Sequence, residues 1–109
     1  MKEHLERIVS KDIGIMLEKA GYDWTEKITS YHTPTQSLAR DFLREKHGIE
    51  IWIAPNNLQD KECGYHWCVA SRETAEVHMR ISGNAASFDE ALDSALFNAL
   101  DRYLKEIEP

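Results

Sequence analysis

Two cysteines are all that the chain contains, and no apolar run approaches the roughly 18 residues that cross a bilayer. Cys63 and Cys68 flank the start of one strand-like segment, where a mutual disulfide would tie up the ladder. Both read as reduced thiols, so a disulfide framework is not expected. The opening "MKEHLERIVS" has no apolar h-region, so no secretory signal is expected either. With no spanning segment, the expected location is the cytoplasm, away from membranes. Catalytic signatures are missing as well: there is no G-x-S-x-G elbow, P-loop, G-x-G-x-x-G or H-E-x-x-H. No catalytic residue is assigned and no cofactor is expected. Internal repeats and low-complexity stretches are also absent.

What remains is an ordinary acidic globular composition. The 109 residues are 42% hydrophobic and 29% charged, with a formal net charge of −6 and a pI near 5.3. That length holds one core, so residues 1–109 form a single domain. Within it, 1–32 read as an N-terminal helix and connector, and 33–109 as the main α-β-β-β-α unit. A net negative field repels nucleic acid and anionic membranes, which leaves neutral or basic partners.

Leu5, Ile8, Val9, Ile13, Met16, Leu17 and Ala20 recur at helical spacing. Ser10 is a plausible N-cap within that run, which predicts a helix over 11–20 stopped by Gly21. The segment "YDWTEKITSYH" has no clear period and reads as a connector. In "TPTQSLARDFLREKHG", Thr33 and Gln36 read as a capping box, with Pro34 at the first helical position and Gly48 as the stop. Leu38, Ala39, Phe42 and Leu43 form its stripe. In "SFDEALDSALFNALDRYLKEI", Ser87 with Glu90 is a second capping box. There Ala91, Leu92, Ala95, Leu96, Ala99, Leu100, Tyr103 and Leu104 make a continuous apolar face over 88–106.

Three segments alternate with period two. "IEIWIA" sends Ile49, Ile51 and Ile53 one way and Glu50 and Trp52 the other. "YHWCVA" sends Tyr65, Trp67 and Val69 inward, with His66, Cys68 and Ala70 opposite. "AEVHMRI" sends Ala75, Val77, Met79 and Ile81 inward, with Glu76, His78 and Arg80 outward. The short "SRET" predicts a hairpin between the last two. The expected fold is α+β: a two-layer, three-stranded antiparallel meander packed by helices, in the order α-α-β-β-β-α.

The stretch "PTQSLARDFLREKHGIEIWI", with "LEKAGYDW" before it and "SFDEALDSALFNALDRYL" after it, resembles small uncharacterised proteins of Bacteroides-type gut bacteria and their phages. The likeness runs from about Ile13 to Leu104, and "LREKHGI" is its most specific part. Phe42 stands where that group usually has tryptophan, a core-for-core exchange. The group has no assigned activity, so the resemblance implies a phage or mobile-element setting rather than a chemistry. The segment 34–106 is also similar in layout to double-stranded-RNA-binding domains, which grip phosphates with basic residues at the start of the last helix. Here that start carries Asp89, Glu90 and Asp93, charge of the wrong sign, so nucleic acid is not the expected partner. The strand-strand-strand-helix part resembles HicB-type antitoxins, which bind a small toxin and DNA.

Four side chains invite a metal reading: Cys63, His66, Cys68 and His78. A hairpin with Cys68 opposite His78 would place both on one face, but ligands alternating along a flat sheet do not surround one ion. No metal site is assigned, and these residues read as the polar outer row of the sheet. Trp52, His66, Cys68, His78 and Arg80 on that row form the candidate partner surface, for an unknown protein or a second copy of the chain. Its alternative is burial of Trp52 beneath the 11–20 helix. The candidate nucleic-acid face is Arg40, Arg44 and Lys46, interlaced with Asp41 and Glu45. The leading expectation is a non-enzymatic protein acting by protein–protein contact.

Overall fold

The computed structural model describes residues 8–22, 35–56 and 63–107. It has helix α1 (Lys11–Lys19), helix α2 (Gln36–His47), strands β1 (Ile49–Pro55), β2 (Tyr65–Ser71) and β3 (Arg80–Ala85), and helix α3 (Phe88–Ile107). The strands form one antiparallel sheet in the order β1-β2-β3. This is the α+β meander expected from the alternating segments.

Local chemistry sets most of the boundaries. Ser10 caps α1, its hydroxyl accepting from the Ile13 amide at 3.3 Å. Gly21 follows the end of α1 at φ 101°, a conformation that costs glycine little. Gly48 ends α2 in the left-handed region at φ 68°. Ser87 caps α3 by accepting from the Glu90 amide.

The start of α2 differs from the expected capping box. Thr35 is the N-cap and accepts from the Leu38 amide at 3.2 Å. Thr33 and Pro34 lie outside the described residues. Gln36 is not part of a box: it is buried at 5% exposure and donates to Asp89 O at 3.2 Å and Asp93 Oδ1 at 3.3 Å. A side chain read as a local cap thus ties α2 to α3.

The core lies between the sheet and the α2/α3 layer. Ile49, Ile51, Trp67 and Val69 meet Ala39, Leu43, Leu92, Leu96 and Leu100, all buried, while Ile53, Tyr65 and Ile81 are partly so. Ala91, Ala95 and Ala99 are fully covered, which lets the α3 backbone approach the strands closely. Each buried leucine or isoleucine contributes roughly 1.5–3 kcal/mol. The helix α1 packs on α3 through Ile13, Gly14 and Leu17. His47 pins its far end, with Nε2 2.9 Å from Ala20 O.

The third strand lies further along the chain than its alternation suggested. It is Arg80–Ala85, and the link from β2 is Arg72–Met79 rather than "SRET". Within this link, Ala75 comes up against Gly48, while Val77 and Met79 are buried at 5% and 6% exposure. Alternate residues of an irregular segment therefore reach the core. Met79 donates its amide to Ser71 Oγ at 2.8 Å, and the Ser71 amide donates to Met79 O, just before the ladder begins.

Candidate functional site

Period-two geometry divides the sheet into a covered and an uncovered face. Residues of odd number point to the helices. Those of even number form three rows across the other face: Glu50, Ala70 and Arg80; Trp52, Cys68 and Ser82; Ala54, His66 and Asn84. Because α1 packs on α3, the possibility that it buries Trp52 is excluded. Among the described residues no element lies over this face, and Trp52 is 46% exposed.

The centre of the face is apolar and its margin polar. Trp52 neighbours Cys68, which the flanking strands shield to 9% exposure. On one side Arg72 donates to Glu50 Oε2 at 2.7 Å. On the other, His66 Nδ1 lies 3.2 Å from Asn84 Oδ1. Arg80 is exposed at the far edge. Trp52, His66, Cys68 and Arg80 thus share one surface, as the alternation implies.

His78 does not join them. It is exposed in the Arg72–Met79 link, and Cys68 faces Ser82 instead. The strand was displaced because its true segment, "RISGNA", has weak strand-forming residues, whereas "AEVHM" alternates without being a strand. Cys63 is half-buried just before β2, and its carbonyl accepts from Asn56 Nδ2. Among the described residues, no three His, Cys, Asp or Glu side chains gather closely enough to hold an ion.

The basic residues of α2 differ in how far the fold engages them. Arg40 donates through Nε and Nη2 to the Ile51 carbonyl, at 3.0 and 2.5 Å. Arg44 pairs with Asp41 one turn back. Lys46 is exposed near the end of α2. Arg40 is therefore turned to the sheet, while Arg44 sits in a half-exposed ion pair on the surface of its own helix.

A feature the sequence did not disclose is a groove of about 760 Å³ between α1, α3 and the end of β3, lined in part by Asp12, Ile13, Asn84, Glu90, Asp93 and Phe97. Its signal was an off-stripe aromatic: Phe97 falls outside the apolar face of α3 and is 42% exposed. The carboxylates here have structural roles. Asp93 accepts from Gln36, and Glu90 sits in the first turn of α3, where negative charge suits the helix dipole. No helix among the described residues is long and apolar enough to cross a membrane. Set beside known proteins, the chain matches no family model, no curated protein and no solved structure.

Proposed function

We propose that the protein is a non-catalytic binding module of the cytoplasm that holds another protein against the uncovered face of its sheet. The observation that carries this reading is the half-exposed Trp52 in the middle row of that face. A tryptophan over a shielded cysteine, with ion-paired and amide side chains at the margin, has the layout of an interface: an apolar anchor inside a polar rim. The net charge of −6 favours a partner that is neutral or basic. The resemblance around "LREKHGI" supports a setting among gut bacteria and their phages.

The test uses a photo-crosslinking residue at Ala54, exposed in the neighbouring row. The protein it captures is purified and its affinity measured by calorimetry against wild type and Trp52→Ala. The expected loss is about thirtyfold, the roughly 2 kcal/mol of an anchoring residue. An unchanged affinity, with the variant still folded, removes Trp52 from the interface and the reading with it.

A further inference from the structure

The two edges of the sheet are finished differently. In β1, residues of even number bond to β2, a pattern that the Asn56 amide continues by donating to Gly64 O at 2.9 Å. The backbone groups of Ile49, Ile51, Ile53 and Pro55 therefore face outward. That flank is guarded: Arg40 occupies the Ile51 carbonyl, and Pro55 has no N–H to offer. In β3 the pairing runs through Tyr65–Ala85, Trp67–Gly83 and Val69–Ile81, so Arg80, Ser82 and Asn84 aim their amides and carbonyls away from the sheet. No proline or bulge interrupts this flank among the described residues.

We propose that β3 pairs with β3 of a second copy, antiparallel about a two-fold axis through Ser82, to make one continuous six-stranded sheet. The register follows from the residues. Centring on Ser82 places Arg80 opposite Asn84 of the other copy and Ser82 opposite itself, so each outward-facing residue bonds reciprocally. Centring two residues earlier would set Arg80 against Arg80, which like charge disfavours. On the helix-facing side the same register sets the partly buried Ile81 opposite Gly83, whose place over the core is already filled by the Trp67 indole, so Ile81 meets no second β-carbon there. Charge thus meets a neutral amide across the axis. An edge contact of this length is smaller than the roughly 1,200 Å² of a stable interface, so the dimer is weak and concentration-dependent.

The test is sedimentation equilibrium at concentrations up to about 1 mM, where so small an interface populates its complex. Wild type is expected to show reversible dimerisation. Ser82→Lys and Ser82→Asp each set like charges face to face across the axis and are expected to weaken it at least tenfold. Mixing the two variants is expected to restore it, since lysine then meets aspartate. Asn84→Glu, facing Arg80 of the other copy, is expected to tighten it, and decides the matter should a Ser82 variant lose its circular dichroism. A wild type that stays monomeric overturns the proposal. So does a mixture of folded variants no tighter than either alone, or a dimer that survives Ser82→Lys but is lost in Trp52→Ala or Phe97→Ser.

Discussion

Gly83 has no side chain, and the indole of Trp67 occupies the space where one would stand. An added Cβ would lie 2.6 and 2.7 Å from two ring carbons and 2.9 Å from Nε1. Trp67 is buried at 6% exposure in the central strand and has no room to retreat. Gly83→Ala is therefore expected to lower stability by about 1–3 kcal/mol, read as a lower urea midpoint with unchanged slope. The same contact explains why a glycine tolerates strand conformation here: the aromatic ring supplies the packing its missing side chain cannot. Gln36 carries a similar lesson. Its spacing from Thr33 suits a capping box, but its amide is used between helices, and such a partner is invisible along the chain.

At the scale of elements, the helices were legible because their signals are local. Ser10, Gly21, Gly48 and Ser87 each act within a turn of their own position, and the stripe of α3 is buried as its spacing required. The meander followed from alternation in β1 and β2. The third strand was misplaced because alternation reports burial, not pairing. Val77 and Met79 are buried from an irregular link, while the paired segment contains Ser82, Gly83 and Asn84, whose strand state comes from Trp67 and the β2 ladder. Most of the candidate face was legible for the same reason that β1 and β2 were, and His78 fell away with the displaced strand. The role of Arg40 was not legible, since its target carbonyl belongs to another element. Arg40→Ala is expected to cost about 1–3 kcal/mol by stripping charged donors from the Ile51 carbonyl. Light scattering on heating is expected to rise as well, because β1 then shows a bare edge.

At the scale of the whole molecule, the seam joining α1 to the rest holds two tyrosines that bear on alkaline stability. Tyr22 packs edge-on against Phe42, with ring centres 5.3 Å apart. His47 lies 5.1 Å from Phe42 and 4.4 Å from Tyr103. Burial raises the Tyr22 hydroxyl above its ordinary value, and burial with repulsion from Glu76 does so for Tyr103. Tyrosine is charged only after losing its proton, so above about pH 10 the folded chain holds more protons than the unfolded one. These groups leave stability unchanged below about pH 10 and lower it as pH rises through their folded values. Urea titrations at about pH 9 and pH 11 are expected to show that fall, and Tyr22→Phe and Tyr103→Phe each to make it shallower. At neutral pH, Tyr22→Phe is expected to be neutral or slightly stabilising, because Tyr22 Oη is buried without a hydrogen-bond partner among the described residues.

If two copies pair as proposed, Arg40 and Pro55 would also set how far assembly proceeds. A ribbon extensible from both flanks grows into a filament; one with a single receptive flank stops after one addition. Two copies joined through Ser82 would turn both sealed flanks outward, leaving a third copy nowhere to add. In such a pair the arginine on the Ile51 carbonyl would act as a terminator, and its removal would turn a closed pair into a seed for fibres.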